Sequence, residues 1–226
     1  MLRLRHHSTG EALDLPPTRL HIHVHSGRER ALVTADLLRR VAERARRRVT
    51  LSRSAQVRPS TDVGGLRLPE MGVALEEELP GGTLWVGSQQ VAGHPCLIVP
   101  PERCPWDELA EGAGGDPLSV RLAILRQHYA AEDAMDGARV AEAARDLERW
   151  RTRMGRWATG PGRPMDRAYA ARAEEALADD LDSPAALTVL EELATDPDVA
   201  PGAKLETVIH LDLLLGLDLV SGIGRA

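Results

Sequence analysis

His21, His23 and His25 alternate along residues 20–25, and Ser26, Gly27 and Arg28 follow directly. Imidazoles at every second position share one face of a β-strand. The set could bind a metal ion or simply form one polar face, and three ligands on one strand rarely converge on a single ion. His94, Cys96 and Cys104 form a second candidate set. They lack a C-x-x-C pair, so structural thiols stand beside a zinc site as readings. A third set is basic: Arg39, Arg40, Arg44, Arg46, Arg47 and Arg48 crowd the end of a helical segment. These arginines could engage a tRNA backbone or an acidic protein partner. They could equally complement the carbonyl end of the helix dipole. Aromatics for base stacking are scarce, four Trp and two Tyr, and Trp150 and Trp157 fall on an apolar stripe rather than among the arginines.

The elements that must position these residues follow from periodicity. Residues 20–25 alternate and predict a strand, broken by Ser26-Gly27. Apolar residues recur at helical spacing over 30–47, and Val49-Thr50-Leu51 predicts a second strand. Strand, glycine turn, helix and strand make a βαβ unit and imply a parallel sheet. Further strands are expected at 83–86 and 96–99, with a short one near 72–75 and one short helix near 106–111. From Asp116 the pattern turns helical. Leu118, Leu122, Leu125 and Tyr129 share one face, and Val140 to Trp157 makes a strong stripe. Asp166 is placed to cap a helix running to about residue 179. Ser183 is read as the cap of the next, with Pro184 at its first position. Gly216 is expected to stop a last helix containing residues 208–215. The chain therefore divides into a sheet domain at 1–115 and a helical bundle at 116–226.

Composition sets the bounds. The 226 residues are 43% hydrophobic, enough to bury a core. Only two cysteines occur, which points to a reducing cytoplasm. No apolar run is long enough to span a membrane, and the start has no secretory h-region. Residues 1–58 hold 13 Arg and 5 acids, whereas 59–226 hold 15 Lys or Arg and 29 acids. This asymmetry suits a basic part that faces an anion, or two parts that attract each other.

Ala176-Leu177-Ala178-Asp179-Asp180-Leu181-Asp182-Ser183-Pro184-Ala185-Ala186-Leu187 resembles the A-x-x-D-D-L-[DN]-T-P-x-A-L signature of cysteinyl-tRNA synthetases and the related mycothiol cysteine ligases. Asp116, Arg121, Leu125 and His128-Tyr129 are similar to that family's D-x-x-x-x-R-x-x-x-L pattern leading into H-Y. Leu215-Gly216-Leu217 matches its close. The resemblance implies a Rossmann-like parallel sheet of the synthetase type, lacking the inserted connective domain and followed by an all-α bundle. It also places His25-Ser26-Gly27-Arg28 on the family's H-I-G-H, in register with Asp36-Leu37-Leu38-Arg39-Arg40. Here Arg28 stands where the second histidine is expected.

What the resemblance implies about function is mixed. His25, Gly27 and Arg28 are the expected binding residues for ATP or an aminoacyl-adenylate. The lysine signature should follow Val91-Ala92-Gly93, but His94-Pro95-Cys96 stands there, and the lone Lys204 lies in the terminal bundle. No cysteine precedes residue 96, so the family's zinc site is not expected. The reading is a truncated, degenerate synthetase-like protein that binds a nucleotide without standard aminoacylation; no catalytic residue is assigned. Its rivals are a non-catalytic interaction subunit for a ligase, tRNA or carrier protein, and a divergent ATP-dependent amino-acid:amine ligase.

Overall fold

The computed structural model describes residues 2–6, 9–57, 66–101, 109, 113–132 and 135–224. The chain forms β1 (Arg19–Val24), α1 (Glu29–Arg44), β2 (Arg48–Arg53), β3 (Gly72–Val73), β4 (Leu84–Gly87) and β5 (Cys96–Ile98). The strands make one sheet in the order β3-β2-β1-β4-β5, with every pairing parallel. Strand order reverses between β1 and β4, which carry the chain to opposite edges. Open parallel sheets bind ligands at such a point, beyond the carboxyl ends of the strands. Among the described residues five helices of full length follow: α2 (Leu118–Leu125), α3 (Gly137–Trp157), α4 (Arg167–Ala178), α5 (Ser183–Thr195) and α6 (Pro201–Leu215). The fold is thus the expected α/β sheet followed by a helical bundle. The helix expected near 106–111 falls almost wholly outside the described residues, as does Cys104.

Leu20, Ile22 and Val24 of β1 join Leu32, Leu38 and Val41 of α1 in an apolar core that continues into the bundle. Among the described residues α1 is the one helix packed broadly on the sheet. The bundle's stripe is as the spacing predicts, with Val140, Leu147, Trp150 and Met154 buried on α3. Asp166 caps α4 through the Ala168 and Tyr169 amides, and Gly216 ends α6 at φ 67°.

Two boundaries differ from expectation. α1 ends at Arg44 rather than near 47, because Arg46 takes φ 62° and turns the chain directly into β2. The cap of α5 is Asp182, whose carboxylate accepts from the Ala185 amide, so Ser183 opens the helix and Pro184 comes second. Both Asp and Ser can cap; the left-handed Asp180 and Leu181, at φ 58° and 55°, turn the chain so that Asp182 faces the helix end.

The resemblance-bearing residues prove to touch one another. The Tyr129 hydroxyl donates to Asp180 at 2.8 Å, and a His128 ring nitrogen lies 3.0 Å from the Asp180 carbonyl. The N-terminal leader, residues 2–5, clasps the same corner. The Arg3 amide donates to the Ala178 carbonyl, the Asp180 amide to the Arg3 carbonyl, and the Arg5 amide to the Asp180 carboxylate. Leu2 and Leu4 are buried beneath it. Asp36 on α1 meets Arg121 on α2 at 2.8 Å, both with fully buried side chains. Burial alone would raise the Asp36 pKa, but Arg121 and then Arg40 hold it below the ordinary carboxylate value.

Candidate functional site at the strand-order reversal

β1 delivers His25 to the reversal point, where its amide donates to the Val86 carbonyl of β4 at 3.1 Å. The side chain is 8% exposed, and neither ring nitrogen has a hydrogen-bond partner of good geometry among the described residues. Buried polar atoms are nearly always satisfied, so a site with two orphans is set up for something else to satisfy them. Burial lowers the His25 pKa, partly opposed by the Gln89 backbone and the Glu76 carboxylate. The ring is accordingly neutral at pH 7 and offers one donor and one acceptor.

Gly27 forms the turn into α1 at φ 100°, and a Cβ there would stand 2.9 Å from the Ala31 Cβ. Only glycine adopts this turn without strain. Arg28 occupies the N-cap position of α1 with an exposed side chain that makes no capping bond. No side chain caps the first amides of the 16-residue α1, and the exposed Arg28 guanidinium stands at the same end, an arrangement favourable to an anion although Glu29 lies buried in the first turn.

Sequence reasoning missed the β4 side of this site. A Cβ on Gly87 would fall 2.3 Å from Ser26 Oγ and 2.6 Å from His25 Cε1, so glycine is what lets the two loops meet. The Ser88 amide donates to Ser26 Oγ at 2.9 Å and ties them together. Trp85 stands edge-on to His25, with ring centres 5.7 Å apart, and Gln56 donates to the His25 carbonyl. A glycine directly after an apolar strand was the available signal for Gly87.

The alternating histidines form a polar face, as one of the two sequence readings had it. His21 and His23 share Ser52 Oγ at 2.8 Å each, while Thr50 and Ser54 take their remaining nitrogens. Burial drives the His23 pKa down to about 4. Among the described residues no group of three or more His, Cys, Asp or Glu side chains is placed to hold a metal ion. The sign of the pH effect follows from linkage. Above the free value near 6.5, His23 is neutral folded or unfolded and contributes nothing. Below it the unfolded chain takes up a proton that the folded one refuses until about pH 4. We expect this to lower stability by up to about 1.4 kcal/mol per pH unit across that window. Denaturant melts of wild type and His23→Gln at pH 7 and pH 5 check it: the variant should lose less on acidification, and equal losses would contradict the assignment.

The six clustered arginines do not form one open patch. Arg39 pairs with Asp36 and Glu43, Arg40 with Asp36, and Arg44 with Glu174, while Arg47 is buried. Arg46 and Arg48 remain exposed. Lys204 is equally committed, its ammonium donating to the Ala194 carbonyl at the end of α5. The segment where the lysine signature was sought turns at residues 92–94 and becomes β5.

An all-parallel sheet of this order, with a histidine–glycine turn entering α1 at the reversal point and a D-D-L corner locked to His128-Tyr129, is an α/β arrangement that agrees with the resemblance to the synthetase family. Comparison with known proteins narrows this. The chain is 38% identical over 107 residues to the L-cysteine:1D-myo-inositol 2-amino-2-deoxy-alpha-D-glucopyranoside ligase of Thermobispora bispora, covering 46% of this chain and 25% of that protein. It is 40% identical over 114 residues to the ligase of that name from Streptomyces griseus, and 37% over 111 residues to the one from Salinispora arenicola. The matched segment spans about a quarter of each of these relatives. No family model matches the chain. The resemblance to mycothiol cysteine ligases and their cysteinyl-tRNA synthetase relatives therefore stands. No helix among the described residues is long and apolar enough to cross a membrane.

Proposed function

We propose that the chain is a nucleotide- or adenylate-binding relative of these ligases that does not carry out standard amino-acid activation. The observation that carries this reading is His25, buried at the strand-order reversal, where neither ring nitrogen makes a hydrogen bond of good geometry and the Gln89 and Val86 backbone acts on the ring. His25 would donate to a phosphate or ribose oxygen. The flat Gly27 turn would admit the nucleotide close to backbone, and Arg28 with the first amides of α1 would hold phosphate charge.

Bound ATP would supply the activated phosphate. For turnover, negative charge that develops on the departing diphosphate needs a positioned cation. Removing one such stabilising group costs about 3 kcal/mol or more in the barrier. Lys204, the one lysine of the chain, is engaged at Ala194. Residues 94–98, at the expected place of the lysine signature, hold a histidine, a proline and strand β5. Arg28 is left as the cation at the turn, suited to gripping phosphate in the ground state. We expect no ATP–pyrophosphate exchange with cysteine above the no-enzyme background. Exchange that is robust in wild type and vanishes in Arg28→Ala would overturn the proposal and make this an active ligase.

A further inference from the structure

At the opposite end of the same strands lies a second site that the nucleotide reading does not use. β1 and β2 pair in register from Arg19↔Arg48 through His21↔Thr50. Register partners on parallel strands point to the same side of the sheet, and neighbouring strands lie about 4.8 Å apart. Arg19 and Arg48 thus stand side by side, both exposed, and among the described residues no carboxylate pairs with either. Like charges directly across a ladder repel. Other exposed arginines of the helices and leader, such as Arg44, Arg172 and Arg5, do have acidic partners. Exposed arginines elsewhere, Arg28, Arg46, Arg145 and Arg163 among them, also lack a carboxylate partner among the described residues; what sets Arg19 and Arg48 apart is that they stand side by side in register at one cleft.

The two arginines flank a cleft of about 520 Å³. Pro16 and Pro80 line it together with the Gly81-Gly82 turn, and His21 and Thr50 add polar groups to its wall. The His21 ring is already bonded to Thr50 and Ser52, so it presents a flat, neutral surface rather than a free donor. The volume lies within the range of small-molecule pockets. Parallel sheets are usually covered on both faces, yet α1 is the one described helix packed broadly on this sheet.

We propose that this cleft binds a small organic phosphate monoester. The phosphate would bridge the Arg19 and Arg48 guanidiniums, whose planar forks match its oxygens. The apolar or aromatic body would lie between the two prolines and against the His21 ring. Occupation would remove the repulsion between the arginines, so binding should also stabilise the fold.

The test follows the His21 ring resonances of the full chain by NMR during titration with phenyl phosphate. Inorganic phosphate in a parallel arm isolates the contribution of the apolar body. We expect saturable shifts with phenyl phosphate and at least about tenfold weaker binding in Arg19→Gln/Arg48→Gln. Inorganic phosphate should bind at the same place but more weakly. Both arginines are exposed, so the double variant should fold, and it should melt at or above the wild-type temperature without ligand. No shift at about 10 mM phenyl phosphate, a hundredfold above the roughly 0.1 mM affinity of a modest small-molecule site, would overturn the proposal. So would equal affinity in the double variant. ATP binding at His25, Gly27 and Arg28 should be unaffected by Arg19→Gln/Arg48→Gln, so the two sites fail or succeed separately. Competition between ATP and phenyl phosphate for one site would count against a second cleft.

Discussion

Asp36→Ala is expected to destabilise the protein by about 3–5 kcal/mol, the cost of breaking a buried ion pair by removing one partner. Asp36 is fully buried and touches three cations: Arg121 at 2.8 Å, Arg40 at 2.8 Å and Arg39 at 2.7 Å. Arg39 and Arg40 can turn toward water. Arg121 cannot, because its side chain is also fully buried and donates to the Leu215 and Leu66 carbonyls. Without Asp36 it loses the carboxylate it pairs with, and Asp212, which acts on it without a direct ion pair, is the remaining acid nearby. The double variant Asp36→Leu/Arg121→Met removes both charges and should recover much of the loss. The sign with pH is also fixed. The Asp36 pKa is held below its unfolded value, so the pair's contribution is complete above the ordinary carboxylate range and fades as pH falls through the folded value. Urea unfolding at pH 7 measures the effect. A loss below about 1 kcal/mol would mean that the α1–α2 junction relaxes around the missing carboxylate.

Gly27→Val should weaken ATP binding by about tenfold or more. A β-branched residue at φ 100° is strained by about 1–3 kcal/mol, and its Cβ would also press on Ala31. The turn would relax toward negative φ, carrying Arg28 and the first amides of α1 away from His25. Gly27→Ala should show the same defect in milder form. Calorimetric titration of both variants checks this, with melting temperature recorded alongside. Unchanged affinity in a folded Gly27→Val protein would place the nucleotide elsewhere.

Much of this molecule was legible in the chain, for reasons that differ by element. β1 and α1 announced themselves because one strand face and one helix stripe are apolar and a glycine separates them. The D-D-L corner was legible because it holds the bundle together: Asp180 accepts from Tyr129 and from the leader at once. That second contact was not foreseeable, since Leu2 and Leu4 sit among polar residues and a short strand pairing with a helix end has no periodic signal. The cap of α5 was misassigned by one residue because Asp182 and Ser183 are both good caps, and the two left-handed residues before them decide between them. At the site, His25, Gly27 and Arg28 fall together on one turn as the resemblance implied. Ser26, Gly87 and Ser88 were missed because their role depends on β4 lying beside β1, a relation between residues about sixty positions apart. The arginine cluster reads differently once acids are placed: Asp36, three and four residues back on the same helix, takes Arg39 and Arg40, and Glu174 across a helix interface takes Arg44, a pairing with no local signal in the sequence.

The most direct test is calorimetric titration of the intact protein with ATP and with a non-hydrolysable cysteinyl-adenylate analogue. Saturable heat that falls at least about tenfold in affinity in His25→Ala is the expected result, since an unsatisfied buried imidazole is the group the nucleotide would engage. Absence of heat with both ligands at millimolar concentration would contradict the proposal that the chain retains a nucleotide site.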